Sequence, residues 1–421
     1  MPPLESPTQE TIDIIVPVYR GLAETRCCLE SVLSQPQESP YEIVVVDDAS
    51  PEPELVAYLD ELAARQAITL LRQDTNAGFV AAVNRGLTLH PDRDVVLLNS
   101  DTEVSGNWLD RLARCAYTDP RIGTATPFSN NATICSYPRF CEENPLPEGL
   151  TLAEIDGLFQ RANAGRWLEI PTGVGFCLYI RRACVTEIGL FDESRFGLGY
   201  GEENDFCMRA TKVGWRHLLC ADTFVHHIGS VSFSDRAEAL RTQAQATLLA
   251  LHPDYPAEIQ EFIGKDPAKE FRLAVDLERI CLSSAQALQV VAEQYAVAAD
   301  LRRHYQQSLA EVAALQQGLA AAERLLNEAH RELVTRDQAL IQAQGYVRER
   351  EADIARAHER GQRLQEALEC ASQHVLTLEQ QAEAARQTYD ELQQRHDALN
   401  LRLEQIYGSK SWRYTRFFRK Q

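Results

Sequence analysis

Residues 95–104 read VVLLNSDTEV, four apolar residues that run directly into a cluster of side-chain oxygens. A short, branched apolar run is typical of a buried strand, so Asn99, Ser100 and Asp101 are predicted at its carboxyl end. Oxygen ligands gathered in this way suit a hard divalent cation such as Mn²⁺ or Mg²⁺. An aspartate at a strand end is also a common cap of a turn, so the stretch alone leaves both interpretations open.

The pattern of strand and helix recurs through the first hundred residues. Further strands are predicted at 12–18, 41–50 and 68–73, and helices at 24–35, 54–66 and 78–90. Such alternation favours an α/β fold with a mostly parallel sheet and right-handed crossovers. Ligands of these sheets bind beyond the carboxyl ends of the strands, which is where Asp47, Asp48, Asn99 and Asp101 are predicted to lie.

Composition limits the classes of function. The chain has 421 residues and a formal net charge of −19, which argues against nucleic-acid binding because that requires a basic face. No apolar run approaches the ~20 residues of a membrane span, and the N-terminus lacks the apolar region of a secretory signal. Eleven scattered cysteines form no CxxC pair, so we expect no disulfide framework or zinc site and a cytoplasmic location.

A glycine-rich loop precedes a predicted helix with an acidic start. The stretch FGLGYGEENDFCMRA, at 196–210, places Glu202, Glu203 and Asp205 in the first turn. Acidic residues favour a helix N-terminus because they complement the helix dipole. A carboxylate beside a glycine-lined opening can also act as a general base.

Two adjacent histidines follow another apolar run. The stretch FVHHIGSVSF, at 224–233, contains His226 and His227. An imidazole near the strand ends can ligate a metal or contact phosphate, whereas a histidine of this kind is often only a loop cap.

Seven stretches, taken in order, resemble family 2 of the inverting glycosyltransferases, which have the GT-A fold. They are IIVPVYRG, VVVDDAS, NAGFVAAVNRGL, NSDTEV, PTGVGFCLYIRR, GYGEENDFCMRA and HHIGSVSF. The resemblance covers about residues 10–240 and extends to rhamnosyltransferase-like members that build bacterial surface polysaccharide such as O-antigen. It implies transfer of a sugar from a nucleotide-diphosphate sugar to a hydroxyl of a saccharide acceptor, which would be lipid-linked as in such members, with rhamnose on a thymidine nucleotide as one candidate donor.

The resemblance implies a role for each matching residue. Asp48 would bind the nucleotide base with support from Asp47, and Gly78 would let the backbone approach the diphosphate. Asp101 matches the last aspartate of the family's metal motif, whereas Asn99 stands where the family has its first aspartate. The nucleotide-sugar-binding residues implied are Pro17, Tyr19, Asp47, Asp48, Asn76, Gly78, Asn84, Asn99, Ser100 and Asp101.

The catalytic residues follow from the same resemblance. Glu203 would be the general base, in a position where the family has aspartate, and Glu202 and Asp205 would orient or assist it. The metal ligands would be Asp101 and His227, with His226 as a close competitor for the second place. The acceptor pocket would be shaped by Gly173, Gly175 and Phe176.

The departures at Asn99 and Glu203 leave a second class of protein open. In that alternative the chain is a coiled-coil scaffold whose transferase-like head is weak in catalysis or inactive. Detectable transfer from a nucleotide sugar distinguishes the two.

The last third of the chain carries a heptad pattern. Apolar residues recur every seven positions, at Val312, Leu319, Leu326, Leu333, Leu340, Val347 and Ile354, with a second set at Leu315, Ala322 and Ala329. This seam predicts a coiled coil in a single helix roughly 180 Å long, with a phase shift near Gly361. Pairing between chains would give a homo-oligomer, and a helix folded back near Gly345 or Gly361 is the alternative.

Four parts are therefore predicted. A transferase domain at 8–240 is followed by a helical connector at 241–284, which includes the turn HPDYP at 252–256, and by a coiled coil at 285–405. The tail at 406–421 mixes basic and aromatic residues, which suits peripheral contact with an anionic membrane at its inner face. Docking on a neighbouring chain is the other interpretation of this tail.

Overall fold

Two units make up the chain, Met1–Ala287 and Leu288–Gln421. The computed structural model describes residues 10–197, 199–229, 237–342 and 347–408. The elements of the first unit are β1 (Ile12–Val18), α1 (Leu22–Ser34), β2 (Tyr41–Asp47), α2 (Pro53–Ala64), β3 (Thr69–Arg72), α3 (Phe79–Leu87), β4 (Val95–Leu98), β5 (Thr102–Glu103), α4 (Trp108–Ala116), β6 (Ile122–Ser129), α5 (Leu152–Ala162), β7 (Trp167–Ile170), β8 (Cys177–Ile180), α6 (Arg182–Ile188), α7 (Glu193–Phe196), α8 (Glu202–Lys212), β9 (Arg216–His227), α9 (Ala237–Leu251), α10 (Tyr255–Lys265) and α11 (Lys269–Leu282).

A mixed sheet organises the first unit. Its strands follow the order β3-β2-β1-β4-β8-β6-β9-β5 among the described residues, and β7 also pairs with β9. Strands β1 to β4 are parallel, as the alternation of strand and helix predicts, whereas β8 is antiparallel to both of its neighbours. Because the chain order reverses between β1 and β4, the carboxyl ends of these strands flank a crevice of the kind in which α/β sheets bind ligands.

Apolar side chains cover both faces of the sheet. In β1, Ile14 and Val16 belong to the core on one face, and Ile15 belongs to the core on the other. In β2, Val45 belongs to the same core as Ile14, and Val46 belongs to the same core as Ile15. Strands buried on both faces have continuous apolar runs rather than alternating ones, which explains the sequence of both strands. The α/β class with helices on both faces is therefore confirmed.

The helices after the sheet are part of the same unit. Leu248 of α9 joins one core and Phe271 of α11 joins the other. The hydroxyl of Tyr137 donates to Asp276 Oδ1 of α11 at 2.9 Å. The segment at 241–284, expected as a connector, thus packs within the first unit.

A two-residue ladder fixes the end of β9 against the loop that follows β4. In this antiparallel pairing, Thr102 of β5 lies opposite His227, and Glu103 lies opposite His226. The amide of Ile228 also donates to the carbonyl of Asp101 at 3.0 Å. The ladder therefore holds the loop after β4 and the paired histidines next to each other.

Two long helices, α12 (Ser284–Gln342) and α13 (Val347–Gly408), form most of the second unit. The residues between them, 343–346, lie outside the described part of the chain, as do 230–236 and the predicted tail from residue 409 onward. Within the described ranges, no helix is long and apolar enough to cross a membrane.

The less exposed side chains of α12 and α13 follow the predicted seam. Between 301 and 334 of α12 they include Leu301, Tyr305, Ser308, Val312, Leu315, Leu319, Ala322, Leu326, Ala329 and Leu333, and between 354 and 384 of α13 they are Ile354, Ala357, Gly361, Leu364, Leu368, Ala371, Val375, Leu378 and Ala382. The expected phase shift near Gly361 is wrong, because Ile354, Gly361 and Leu368 keep the seven-residue spacing. Val312 is only 8% exposed and Val375 only 9%.

Candidate active site

A cavity of 660 Å³ opens where the carboxyl ends of β1 and β4 meet the start of α8 and the end of β9. This volume is within the range of small-molecule sites in proteins. The predicted residues that line it are Pro17, Asn99, Ser100, Asp101, Gly175, Phe176, Glu202, Glu203 and His227. Residues from four distant parts of the sequence therefore share one cavity.

His227 and Asp101 face each other in this cavity. His227 Nε2 lies 3.5 Å from Asp101 Oδ1, and the ring of Phe176 stacks on the imidazole at 5.3 Å between centroids. His227 Nδ1 lies 2.7 Å from the carbonyl of Asn131. Because a carbonyl can only accept, Nδ1 carries the proton there, and neutral His227 presents the Nε2 lone pair towards Asp101.

The pKa of His227 reflects two opposing causes. Burial lowers it, but the hydrogen bond and charge of Asp101 outweigh burial and raise the pKa above 6.5. A cation bound between the two side chains would compete with this proton, since a metal ligand must be deprotonated.

His226 points to a different partner. Its Nδ1 lies 3.1 Å from Glu103 Oε1, and neither residue is among those that line the cavity. Neighbouring residues of a strand face opposite sides of the sheet, so only one of two adjacent histidines can face Asp101. The geometry therefore favours His227 over His226 as a ligand.

Two buried carboxyl groups begin α8. Glu202 is 5% exposed, and burial, followed by the charge of Glu203, raises its pKa well above the usual value. Burial also raises the pKa of Glu203, although the amides of Glu203, Asn204 and Gly201 and the side chain of Asn204 oppose the shift through hydrogen bonds. Glu202 Oε2 has no hydrogen-bond partner within the described ranges, so this oxygen could receive one from a ligand.

Asp47 and Asp48 lie at the end of β2, outside the cavity lining. Asp48 accepts hydrogen bonds from the amides of Ala77 at 2.8 Å and Gly78 at 2.9 Å. Asp47 accepts from Arg72 Nε at 2.9 Å. The Asp48 carboxylate therefore holds the loop before α3 and the Asp47 carboxylate holds Arg72 of β3, and their contact with a nucleotide base stays a prediction.

The other predicted residues outside the lining have structural contacts or lie at the surface. Asn84 joins α3 to the loop before α7 through two hydrogen bonds with the backbone of Phe191. Gly173 lies where a Cβ atom would come within 2.4 Å of Leu178 Cδ1, so a larger residue would displace the Leu178 side chain. The carboxylate of Asp205 is hydrogen-bonded to Arg209 and His252. Tyr19 is half-buried and Asn76 is exposed.

Several residues of the lining are absent from the sequence predictions. They are Phe79, Asn131, Ala132, Thr133, Glu143, Val174, Gly199, Tyr200, Gly201, Asn204 and Gly229. Thr133 and Tyr200 have positive φ angles of 43° and 71°, a strained conformation that is common at functional sites. The polar run SNN at 129–131 was the available signal, but only the fold places it beside His227.

A second cluster of metal-type ligands lies at the opposite ends of the strands. Asp13 lies near the start of β1 and Glu42 near the start of β2, and with His90 they bring ligand atoms within 4.8 Å of one another. Arg93 Nη1 donates to Asp13 at 2.9 Å and to Glu42 at 2.6 Å. Because this guanidinium already pairs with both carboxylates and offsets part of their charge, we interpret the cluster as an ion-pair network rather than a metal site.

Part of the first unit is similar to known proteins. Residues 13–189 match the family model for Glycosyl transferase family 2. The chain is 25% identical over 248 residues to N-acetylglucosaminyl-diphospho-decaprenol L-rhamnosyltransferase of Mycobacterium tuberculosis, covering 52% of this chain and 77% of that protein. It is 22% identical over 218 residues to glycosyltransferase AglE of Haloferax volcanii, covering 52% of this chain and 65% of that protein.

Among solved structures, the chain is similar to mannosyltransferase PcManGT from Pyrobaculum calidifontis, which is in complex with GDP-Man and Mn²⁺. The identity is 19% and the TM-score 0.42, and the match covers 68% of this chain and 80% of that chain. Across the curated relatives that it matches, the chain spans from 26% to 77% of their length.

Glu202→Gln should increase stability at alkaline pH. The folded state holds the Glu202 proton more tightly than the unfolded state, so wild-type stability falls as pH rises from the unfolded pKa through the raised folded pKa. The neutral glutamine removes this loss, and we expect Tm at pH 8 to rise by roughly 2–4 °C.

Thermal unfolding between pH 4 and pH 8 measures this effect. The two proteins should be alike at pH 4 and diverge as pH rises, whereas Glu38→Gln, at an exposed position, should follow the wild type throughout. A constant difference at every pH would show that the Glu202 proton is not involved.

Proposed function

We propose that this chain is an inverting glycosyltransferase that moves a hexose from a nucleoside-diphosphate sugar to a hydroxyl of a saccharide acceptor. One observation carries the proposal: Asp101, His227 and Glu203 line the same cavity. The first two suit a divalent cation and the third suits proton abstraction. The family match of residues 13–189 supports the same class of reaction.

Asp101 and His227 fit a divalent cation, Mn²⁺ or Mg²⁺. The carbonyl of Asn131 accepts a hydrogen bond from Nδ1–H of His227. This contact orients the ring and leaves Nε2 as the ligand atom, as in other metal sites. Asp101 Oδ1 lies 3.5 Å from that nitrogen. The cation would neutralise charge on the diphosphate, which matters in a chain with a net charge of −19.

Glu203 acts as the general base. Burial raises its pKa, which makes the carboxylate a stronger base towards a hydroxyl group. As the acceptor oxygen bonds to the anomeric carbon, the bond from that carbon to the diphosphate oxygen breaks, and the acceptor proton passes to Glu203. This single in-line displacement inverts the anomeric configuration and releases the nucleoside diphosphate.

The remaining lining residues position the substrates. Pro17, Asn99 and Ser100 contact the donor, in keeping with their places at the ends of β1 and β4. Gly175 lies beside Glu203, since a Cβ atom there would be 3.6 Å from the Glu203 carboxyl carbon. The acceptor hydroxyl therefore approaches Glu203 on the side of Gly175.

The acceptor is a growing, lipid-linked bacterial surface polysaccharide, and the donor sugar is a deoxyhexose such as rhamnose. The likeness to a decaprenol-linked rhamnosyltransferase supports both points. The basic and aromatic composition of the tail at 406–421 supports peripheral contact of a cytoplasmic enzyme with the membrane that carries such an acceptor.

The second unit forms a coiled coil along the seam of α12 and α13. Both stripes are sheltered within one chain, which favours pairing of the two helices with each other over pairing between chains. Only four residues, 343–346, separate the helices, so helices that pair within a chain must be antiparallel. Val312 and Val375 would then lie opposite each other in the antiparallel pair. Val312 is roughly 30 residues before the end of α12, and Val375 is roughly 30 residues after the start of α13.

Glu203→Gln should lower the transfer rate at least about 100-fold, because general-base catalysis typically contributes that much. The isosteric amide keeps the cavity, so nucleotide binding should persist. Transfer from a panel of nucleotide sugars, with Glu193→Gln at an exposed position as the matched control, measures the change. Near-normal turnover would remove Glu203 from this role, and a wild type without transfer would favour the scaffold alternative.

His227→Ala should weaken binding of manganese at least about tenfold, since even indirect loss of ligand support has effects of this size. His226→Ala is the matched control, because His226 pairs with Glu103 and should leave affinity unchanged. Calorimetric titration with Mn²⁺ in the presence of a nucleoside diphosphate distinguishes them. Equal affinities of the His227 variant and the wild type would contradict the site.

A Val312→Cys/Val375→Cys chain should form a disulfide within one chain when the exposed cysteines are replaced by serine. The monomer should then migrate faster on a non-reducing gel, because the closed loop is more compact. Val312→Cys with Leu376→Cys is the control pair, since Leu376 is 57% exposed and lies off the stripe. Covalent dimers as the main product would instead indicate a homo-oligomer that pairs between chains.

A further inference from the structure

The turn HPDY at 252–255, between α9 and α10, contacts the helix that carries Glu203. His252 is buried at 4% exposure, with Nε2 2.8 Å from Asp205 Oδ1 and Nδ1 2.9 Å from Lys212 Nζ. Because an ammonium group can only donate, Nδ1 accepts from Lys212 and the Nε2 proton is donated to Asp205. His252 thus bridges the first and last turns of α8.

Tyr255 makes a second contact, one residue further towards Glu203. Its hydroxyl donates to Asn204 Oδ1 at 2.9 Å. The side chain of Asn204 also stabilises the charged form of Glu203 and lowers its pKa, and its Nδ2 donates to Thr172 Oγ1 at 3.4 Å. The amide of Asn204 is therefore oriented on one side by Tyr255 and acts on Glu203 on the other.

The start of α8 depends on such contacts. Its N-cap is Gly201, which is in the left-handed conformation with φ 85° and has no side chain to cap the helix. The first amides of a helix have no partner within the helix, and here the amides of Gly201, Glu203 and Asn204 interact with the Glu203 carboxyl group instead. Asp205 is held from a second direction by Arg209 Nε at 2.8 Å. The contacts from the HPDY turn thus fall on the two residues that directly follow Glu203.

We propose that Tyr255 and His252 are positioning residues for the transfer reaction, which hold Asn204 and Asp205 so that the Glu203 carboxylate faces the acceptor. The proposal rests on the proposed function, in which Glu203 is the base. It extends the residues that support catalysis past the end of β9 and into the segment expected to be only a connector.

Tyr255→Phe tests the proposal, because it removes the hydroxyl and keeps the ring. Without this donor, Asn204 loses its orientation towards Glu203, and kcat should fall about tenfold. KM for the nucleotide sugar should stay within twofold, since Asp101 and His227 are untouched. Tyr295→Phe, at a position that is 67% exposed, should behave as the wild type.

The pH profile separates positioning from a general loss of stability. The titratable groups that face Glu203 in the described residues are Glu202 and Cys207 on α8 and Tyr255 on α10. Without the hydrogen bond from Tyr255, Asn204 should stabilise the Glu203 carboxylate less, so the Glu203 pKa should rise. Because the base must be deprotonated, the acid limb of the pH profile of kcat should then move to higher pH in Tyr255→Phe. A variant that is only less stable keeps the wild-type limb.

Asn204→Ala supplies the decisive comparison. If Tyr255 acts through Asn204, Asn204→Ala alone should reproduce the loss, and adding Tyr255→Phe to it should change kcat less than twofold. An equal fold loss in both backgrounds, or an unchanged kcat and pH profile for Tyr255→Phe, would overturn the proposal for Tyr255.

His252 is tested with a conservative pair. His252→Ala should lower kcat, and His252→Gln, which can still donate to Asp205, should restore most of it while Tm stays low in both. Recovery of Tm without recovery of kcat would mean that His252 has only a structural role. A wild type inactive with every nucleotide sugar would instead refute the proposed function, so the two failures are distinguishable.

Discussion

The pairing of β5 with the end of β9 is the constraint on which the candidate site depends. This ladder is only two residues long, and its register puts His227 opposite Thr102, one residue after Asp101. A shift by one residue would turn His226 towards the cavity and His227 away from it, because successive strand residues face opposite sides. Asn130 reinforces the register, since its side chain accepts from the amide of His227 at 2.8 Å and donates to the carbonyl of the same residue at 3.0 Å.

The carboxyl groups at the start of α8 illustrate how a site can hold groups that are costly to bury. Removing Glu202 and Glu203 from water disfavours their charged forms, and each also disfavours ionisation of the other. The free amides at a helix N-terminus offset part of this cost, and for Glu203 the amides of Gly201 and Asn204 do so directly. The two neighbours thus differ in environment. The pKa of Glu202 is raised further than that of Glu203, so Glu203 is the group that ionises more readily.

Sequence patterns predict the fold well because its strands are buried on both faces, and a run such as IDIIVPV has few alternatives to β1. The same patterns place Asp101 after a strand, His227 at the end of an apolar run and Glu203 at the start of a helix, and the resemblance to a family then singles these residues out. The patterns do not predict Asn131, Glu143 or Tyr200, which reach the cavity from loops whose paths depend on tertiary packing. The choice between His226 and His227 has the same origin, because two adjacent histidines are equivalent until the partner strand and its register are known. At Gly361 the seven-residue spacing of the seam continues, so a glycine in this pattern does not by itself indicate a phase shift.

The packing of α11 has a consequence for how such a chain could have been assembled or recombined. Asp276 and Arg279 of this helix are both buried, and Arg279 donates to the hydroxyl of Tyr137 at 3.0 Å. A gene fusion that joined the head to a different tail before this helix would remove Phe271 and Val275 from the core that they share with Phe159 and expose apolar surface on the head. The natural point of exchange between a head of this kind and an unrelated extension is therefore near Leu288, where the second unit begins.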